Sequence, residues 1–421
     1  MVGELKMKSE FKNLPSGWKA VRLKEISSRI TRKNQDNKCQ NVLTISAQSG
    51  LISQTDFFNK QVASKDLSSY ILLRKGDFAY NKSYSTGYSF GAFKRLKFYD
   101  EGVASPLYIY FKFNDDICSD FFEFYFDGGQ ANRQIKDIVQ EGARNHGLLN
   151  LSIDDFFNIK IYTPPLDEQK KIAEILSTWD EAINLTINLI ENKKQFKKTL
   201  MQNLLTAKIR FPEFKDKWQE TKLNKIFKEH KIKSDNKSEV FSVSVHKGVV
   251  NQIEHLGRSF SAKDTSNYNL VKPFDLVYTK SPTGDFPFGI IKQNLNYFSV
   301  IVSPLYGVFE PVNKFLGTLL HYFFESSVRT NNYLQPIIQK GAKNTINISN
   351  DTFLSRSILM PINLNEQQKI AEVLTACDDE INLLNLKLEN LKKQKQGLMQ
   401  KLLSGKLKTK VKGGENVKMD G

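Results

Sequence analysis

The chain has 421 residues, more than one ordinary domain needs, and this length predicts two or three domains. Lysine and arginine exceed aspartate and glutamate by 16, and the pI is near 9.4. This excess favours a polyanionic partner such as nucleic acid, although a lysine-rich solvated surface would give the same balance. The 3 widely spaced cysteines argue against a disulfide framework and a zinc site. With no secretion signal and no apolar run of about 18 residues, we expect a soluble, cytoplasmic protein.

The first predicted domain covers residues 1–163 and has a mixed α/β pattern. β-rich runs between turn residues predict strands within Val42–Ile45 and Ala104–Phe113. The aromatic run Phe121–Phe126 predicts a short buried helix. The order of the strands in a sheet does not follow from these patterns.

A central spacer helix is predicted for the segment 164–210, at whose N-terminal end Pro164 and Pro165 mark the helix start. Its apolar residues recur in steps of three and four, the spacing of a coiled-coil stripe. The stripe consists of Ile172, Ile175, Trp179, Ile183 and Ile190. Lys193 and Lys197 also fall on stripe positions and weaken its middle.

The second predicted domain covers residues 211–360, with strands in Val240–Ser244 and Ser299–Phe309 and a buried helix at Leu319–Phe324. A C-terminal spacer helix follows over residues 361–407, and Gly405 is its stop signal. Its stripe consists of Ile370, Val373, Ile381, Leu384, Leu388 and Leu391, with Lys395 in one polar position. Residues 408–421 are expected to form a disordered tail.

The two halves are a tandem duplication related by a shift of 198 residues. Glu168–Leu176 aligns with Glu366–Leu374 at this shift. Upstream, the same shift aligns a further set of identical residues: Asp77, Tyr80, Lys82, Ser83, Lys94 and Ser105–Tyr108 with Asp275, Tyr278, Lys280, Ser281, Lys292 and Ser303–Tyr306. One constant offset over so many matches is not a chance event, so the chain order is domain, helix, domain, helix.

Each spacer helix of about forty residues would be a rod of roughly 60 Å. A narrow apolar stripe needs a partner, which could be the helix's own domain or the other helix. Equal stripe lengths and registers favour the second arrangement. The predicted fold class is therefore α+β: two similar mixed α/β domains separated by two long helices that form an intramolecular antiparallel coiled coil.

Several catalytic signatures are absent from the sequence. It has no glycine-rich methyl-donor loop, no Asn/Asp-Pro-Pro-aromatic clamp for a flipped base and no phosphate-binding P-loop. The 5 histidines lack metal-ligand or triad spacing. We therefore predict no catalytic residue and no metal site in this chain.

An ordered set of motifs resembles the specificity subunits of type I restriction–modification systems over nearly the full length. The carrying motifs are Leu14–Trp18, Gly76–Lys82, Pro165–Ala173, Phe274–Lys280 and Leu364–Ala371. Two departures are small: the second repeat has Pro-Ile-Asn-Leu where the first has Pro-Pro-Leu, and Phe274 replaces the expected glycine.

The resemblance implies two target-recognition domains, each recognising one half of a bipartite DNA target. It implies that the helices set the unread spacing and dock two DNA adenine methyltransferase subunits, with restriction/translocase subunits joining the complex. S-adenosylmethionine, ATP and Mg²⁺ would belong to those partners, with no cofactor in this chain. Two alternatives stay open: a coiled-coil assembly adaptor without DNA preference, and a self-contained methyltransferase, against which the missing motifs argue.

The duplication sorts the candidate DNA contacts. Identical residues cannot distinguish two half-sites, so Lys82/Lys280, Lys94/Lys292 and Arg144/Lys343 are candidates for phosphate contact or scaffold. Residues that differ within matched loops are better candidates for base contacts. The full candidate set is Lys82, Ser83, Tyr84, Tyr88, Lys94, Arg95, Arg144, Asn145, His146, Lys280, Ser281, Phe286, Lys292, Lys343 and Asn344. Tyr80, Tyr278 and the segment Ser105–Tyr108 are instead expected in the core.

Overall fold

The computed structural model describes residues 14–58, 66–83, 85, 87–139, 149–235, 237–340 and 346–409. The chain divides into two compact units. Unit 1 contains residues 1–186 and 387–421, and unit 2 contains residues 187–386. The division falls inside both long helices, so each unit combines one globular region with half of each helix.

Unit 1 is built on a four-stranded antiparallel sheet in the order β2-β9-β6-β7, with three two-stranded ribbons, β1-β10, β3-β4 and β5-β8. The strands are β1 (Lys19–Arg22), β2 (Ser27–Arg29), β3 (Leu43–Ser46), β4 (Gly50–Ser53), β5 (Ile71–Arg74), β6 (Phe78–Asn81), β7 (Ala92–Arg95), β8 (Glu101–Ala104), β9 (Ile109–Phe113) and β10 (Lys160–Thr163). The short helices are α1 (Leu23–Ile26), α2 (Gln54–Phe58), α3 (Ser119–Asp127), α4 (Asn132–Ile138) and α5 (Ile153–Asn158), with a 3₁₀ turn at Gln35–Asn37.

The core of unit 1 is rich in phenylalanine. Phe78, Phe111 and Phe126 meet between the four-stranded sheet and α3, and Phe93 stacks on Phe126 with ring centroids 4.0 Å apart. Offset and edge-on ring packing adds to the large apolar area that each ring buries. The predicted buried helix at Phe121–Phe126 lies within α3, where its aromatic face closes this core.

Unit 2 repeats the same plan, with a sheet in the order β12-β19-β16-β17 and ribbons β11-β22, β13-β14, β15-β18 and β20-β21. The strands are β11 (Gln219–Lys222), β12 (Phe227–Glu229), β13 (Phe241–Ser244), β14 (Gly248–Asn251), β15 (Asn269–Val271), β16 (Leu276–Tyr278), β17 (Ile291–Gln293), β18 (Val300–Val302), β19 (Gly307–Pro311), β20 (Gln339–Lys340), β21 (Ile346–Asn347) and β22 (Ser357–Met360). The two long helices are α6 (Leu166–Leu204) and α11 (Leu364–Leu403); the short helices are α7 (Gln252–Leu256), α8 (Lys314–Glu325), α9 (Ser327–Leu334) and α10 (Asn350–Leu354), with 3₁₀ turns at Leu223–Lys225 and Gln335–Ile337.

In unit 1 the two long helices run in opposite directions. Ile172 and Leu176 of α6 share the apolar core with Leu402 of α11. Further along α6, Asp180 accepts a hydrogen bond of 2.5 Å from Lys395. The partner number falls as the position along α6 rises, which is the signature of antiparallel pairing.

Unit 2 shows the same direction in its own halves of the helices. Lys193 forms an ion pair with Glu380 at 2.7 Å. Further along α6, Leu204 shares an apolar core with Ile370 and Leu374. The predicted fold class is confirmed, and the stripe residues of both helices are buried or half-buried.

Two predicted strands differ from the structure in the same way. Ala104–Phe113 and Ser299–Phe309 each divide into two strands around a Ser-Pro-Leu-Tyr turn. Proline lacks the N–H that a central strand needs, and Ser-Pro favours a turn. The predicted tail, residues 408–421, lies almost wholly outside the described residues.

Candidate nucleic-acid interface

In unit 1, a loop between two neighbouring strands projects from one end of the four-stranded sheet. It joins β6 to β7 and begins at Lys82, which is half-buried. The Tyr80 hydroxyl donates a hydrogen bond of 2.7 Å to the Phe90 carbonyl, which fixes the far side of the loop. Gly91 has a φ of +79°, and a Cβ at this position would lie 2.7 Å from the Tyr80 ring. The base of the loop is therefore fixed by Tyr80, Phe90 and Gly91.

The matching loop of unit 2 joins β16 to β17 and has the same base. The Tyr278 hydroxyl donates 2.8 Å to the Phe288 carbonyl. Gly289 has a φ of +100°, and a Cβ there would lie 2.8 Å from the Lys280 amide nitrogen. Tyr80 and Tyr278 are fully buried, as expected, and burial raises the pKa of both phenols. They support the loops and do not form part of the exposed surface.

Three candidate contacts of unit 1 have different positions. Ser83 is half-buried, and its amide donates a hydrogen bond to the Asn81 side chain at 2.9 Å. Tyr88 is also half-buried, and its hydroxyl accepts a hydrogen bond from Lys94 at 3.3 Å. The Arg95 guanidinium forms an ion pair at 2.7 Å with Asp120 of the same domain, which compensates most of its charge.

Lys94 and Lys292 could have been phosphate contacts or scaffold, and their positions favour scaffold. Lys94 is only 9% exposed and donates 2.8 Å to Asp127. Burial alone would lower the pKa of Lys94, but the charge and hydrogen bond of Asp127 outweigh it, so the pKa is raised. Lys292 is 4% exposed, and burial lowers its pKa. A phosphate cannot reach either ammonium group without opening the domain.

Among the candidates of unit 2, Ser281 is exposed and Lys280 is half-buried. Burial lowers the pKa of Lys280, partly opposed by the charge of Glu229. Phe286 was a candidate for base contact but is 4% exposed, because it folds back against its own loop through hydrogen bonds with the backbone of Thr283. This position contradicts the prediction for Phe286. The candidates Tyr84, Arg144, Asn145, His146, Lys343 and Asn344 lie outside the described residues.

A polar cluster that the sequence did not single out lies where the long helices of unit 2 meet α8. The buried Lys197 ammonium donates to Glu325 at 3.0 Å and to Asp378 at 2.6 Å. The Tyr322 hydroxyl also donates to Asp378, at 2.7 Å, and its ring lies 4.9 Å from the same ammonium. One buried cation thus has two carboxylate partners inside a largely apolar contact.

Unit 1 has a smaller version of this cluster at the positions that the duplication predicts. Lys395 donates to Asp180 at 2.5 Å and lies 5.1 Å from the Phe124 ring. Lys395 follows Lys197 by 198 residues. Asp180 and Phe124 precede Asp378 and Tyr322 by the same number. The sequence therefore contained a signal for both clusters: a lysine in the apolar stripe of one long helix and an aspartate at the matching position of the other.

The family motif on the long helices has a clear structural role. The Trp18 indole donates 3.1 Å to Glu168, and the Gln169 amide donates 2.8 Å to the Pro164 carbonyl. In unit 2, the Trp218 indole donates 3.2 Å to Glu366, and Gln367 donates 2.9 Å to the Pro361 carbonyl. Arg210 adds two further hydrogen bonds to Glu366. The Glu-Gln pair therefore fastens the first turn of each long helix to the residues just before it and to the tryptophan near the start of its domain.

Within the described ranges, no group of three or more His, Cys, Asp or Glu side chains could hold a metal ion. Over the same part of the chain, no helix is both long and apolar enough to cross a membrane.

Comparison with known proteins places this architecture in a class. Residues 15–193 match the family model for the type I restriction modification DNA specificity domain. This part of the chain is similar to that domain family, and the predicted resemblance of the chain to type I specificity subunits is confirmed.

Individual relatives agree with this class. The chain is 24% identical over 335 residues to the type I restriction enzyme MjaVIII specificity subunit of Methanocaldococcus jannaschii, covering 74% of this chain and 75% of that protein. The crystal structure of the HsdS subunit from Thermoanaerobacter tengcongensis has the same fold, with a TM-score of 0.50, 18% identity and coverage of 94% of this chain and 98% of that one. A structure from a study of type I R-M complex assembly gives a TM-score of 0.54 at 16% identity, covering 94% of this chain and 100% of that chain.

Proposed function

We propose that this chain is the DNA-specificity subunit of a type I restriction–modification complex and recognises a bipartite target, one half per unit. The observation that carries the proposal is the repeated sheet order, with an equivalent loop at the same sheet end of each unit. Two similar recognition surfaces with different loop residues suit a target made of two different half-sites. The domain family and the +16 net charge support a DNA partner.

Within this function, the loop residues that remain accessible are the proposed DNA contacts. They are Lys82, Ser83 and Tyr88 in unit 1, and Lys280 and Ser281 in unit 2. The lysines, present in both copies, would contact phosphates; Tyr88, which differs between the copies, would contact bases. Six further candidates lie outside the described residues and keep the same proposed role: Tyr84, Arg144, Asn145, His146, Lys343 and Asn344.

The proposed partners are two DNA adenine methyltransferase subunits, docked along the long helices, and restriction/translocase subunits. This chain would direct their chemistry without a catalytic group of its own. S-adenosylmethionine, ATP and Mg²⁺ would be bound by the partners. Its place would be the cytoplasm, since the DNA target and the partners would be there.

Sequencing of methylated bases tests this proposal. A host that expresses the methyltransferase partner should gain adenine methylation at one two-part motif when this gene is added and lose it when the gene is removed. Duplex binding by the assembled complex should weaken steeply with salt, because phosphate contacts release counterions. Salt-insensitive or absent DNA binding in an intact complex would instead favour the assembly adaptor.

A further inference from the structure

One leucine in each unit is exposed at the tip of the same turn. Leu107 is 70% exposed and Leu305 is 76% exposed, although the segment Ser105–Tyr108 was expected in the core. The Leu107 amide donates 3.3 Å to the Ser105 hydroxyl, and the Leu305 amide donates 3.3 Å to the Ser303 hydroxyl. The two copies therefore build the same turn and point the same residue type into solvent.

The turn itself does not require leucine at this position. Serine at the first position and proline at the second favour the turn, and the tyrosine at the fourth packs half-buried. The third position of such a turn accepts polar residues without strain. An exposed leucine that both copies keep, while many residues of the neighbouring recognition loops differ, points to a shared contact.

Each turn lies at the sheet end that carries the proposed recognition loop. Tyr80, two residues before Lys82, pairs with Ile109, two residues after Leu107. In unit 2, Tyr278 pairs with Gly307 in the same way. The leucine and the loop of each unit are therefore neighbours on one edge, and whatever the loop contacts is within reach of the leucine.

A positioned cation accompanies each turn. In unit 1, the exposed Lys33 is bridged to Ile71, which pairs with Ala104 just before the turn, and its ammonium donates 2.8 Å to the Ser69 carbonyl. A lysine ammonium has three donors, so this anchor leaves others for a phosphate.

Unit 2 repeats this cation. The Lys233 ammonium donates 3.0 Å to the Asn267 carbonyl and 3.0 Å to the Asn269 side chain. Asn269 in turn donates 3.0 Å to the Tyr306 carbonyl, which links the cation directly to the turn that carries Leu305.

We propose that Leu107 with Lys33, and Leu305 with Lys233, form two matching DNA contacts that do not depend on base sequence. The ammonium contacts a phosphate, and the leucine packs against sugars and base edges in the adjacent groove, as apolar side chains do in many DNA-bound proteins. Because these residues are the same in both units, they suit features of the duplex that are the same in both half-sites. This inference rests on the proposed function and adds the contacts that position each unit before its loop recognises bases.

Leucine-to-alanine variants in the full chain, assembled with its methyltransferase partner, test the proposal. Leu107→Ala and Leu305→Ala should each weaken binding to a target duplex and to an unrelated duplex about tenfold, with the methylated motif unchanged. Phe98→Ala is the matched control, since Phe98 is also 70% exposed but faces Asn296 in the repeat alignment. This control should bind DNA like the unaltered chain. Lys33→Met and Lys233→Met should each reduce the salt slope by about 1.

Three results would overturn the inference. Unchanged DNA affinity together with lost methyltransferase assembly would make the turns protein-docking sites. A changed motif in one half-site would make the leucines base-reading residues. Equal affinity of all variants would remove any contact role. Failure of the unaltered complex to bind DNA is a separate result, because it would reject the proposed function itself.

Discussion

Two lysines at the same position of the duplicated sheet have different environments. Lys94 pairs across the sheet with Ala79, and Lys292 pairs with Val277 in the same register. Asp127 neutralises Lys94, whereas its counterpart in unit 2, Glu325, turns to Lys197 at 3.0 Å. Within the described residues, no carboxylate lies within 4.0 Å of the Lys292 ammonium. Identical residues thus have an ion pair in one unit and, in the other, a buried charge that Glu325 and Asp378 offset only in part.

We predict opposite effects of the same substitution at these sites. Lys94→Met should lower the free energy of unfolding by about 1–2 kcal/mol at pH 7, because Asp127 loses its partner. Lys292→Met should leave it unchanged or raise it, because it removes a charge whose burial is unfavourable. Urea unfolding, with hydrogen exchange to assign the change to a unit, measures both; equal losses would contradict the assignment.

The pH dependence of these two sites should also differ in sign. A raised pKa means that Lys94 stabilises the fold below its ordinary pKa of 10.5, and this contribution is lost as pH rises through the folded value. The lowered pKa of Lys292 means that its cost is full at neutral pH and declines as pH rises through that lowered value. The difference in stability between each variant and the unaltered chain should therefore shrink at alkaline pH.

At the level of elements, the long helices are joined by apolar stripes with charged positions inside them. Lys197 and Lys395 occupy stripe positions that would otherwise take leucine. Their partners Asp378 and Asp180 come from the opposite helix in each unit. A polar residue at such a position specifies register at some cost in stability. The pairing of these helices is therefore defined by charge as well as by apolar contact.

Substitution of Lys197 or Lys395 by alanine should show how the burial of each cluster affects stability. Lys197→Ala leaves Asp378 and Glu325 without their cation and should destabilise unit 2 by about 3 kcal/mol. Lys395→Ala acts on a more exposed pair and should cost about 1 kcal/mol. Lys198→Ala, at an exposed position beside Lys197, is the control and should have no measurable effect on thermal unfolding. A larger effect at Lys395 than at Lys197 would argue against this order.

The recognition loops are the second kind of element with a testable role. Exchange of Lys82–Phe90 for Lys280–Phe288 keeps the supporting glycine and the buried lysine of each unit. The loop base is the same in both units, so the exchanged loop should fold on its new base and convert one half-site only. Sequencing of methylated bases measures the motif. An unchanged motif would show that the loops do not carry base recognition.

At the scale of the whole molecule, both long helices pass from one unit into the other. The division follows Thr186 in α6 and Leu386 in α11. A change in the length of one helix alone would break the pairing in one unit. A change of length that keeps both pairings has to be made in both helices at these two places.

Insertion of a heptad after Thr186 and after Leu386 should lengthen the unread gap of the DNA target. Seven residues keep the apolar stripes in phase and add about 10 Å, or roughly three base pairs. The half-sites should stay the same, because the loops are not touched. Methylation at a motif with altered half-sites and constant spacing would contradict a role of the helices as a ruler. The same insertion in α6 alone is the control and should destabilise the chain.

Much of this protein followed from its sequence because the signals are local or repeated. The 198-residue offset established the duplication, and the apolar periodicity located both long helices to within a few residues. The prolines at the helix starts and the Glu-Gln motif also appear in both copies. These features depend on neighbours in the chain or on one constant shift, so they can be derived without coordinates.

The tertiary structure alone decided which side chains are accessible. Lys94, Lys292 and Phe286 had the residue types of DNA contacts but are buried, while Leu107 and Leu305 had the type of core residues but are exposed. Burial depends on elements far away in sequence, such as α3 against β7 or the turn beside the recognition loop. Strand order and the partners of Lys197 and Lys395 have the same origin, because long-range packing, and not local pattern, determines them.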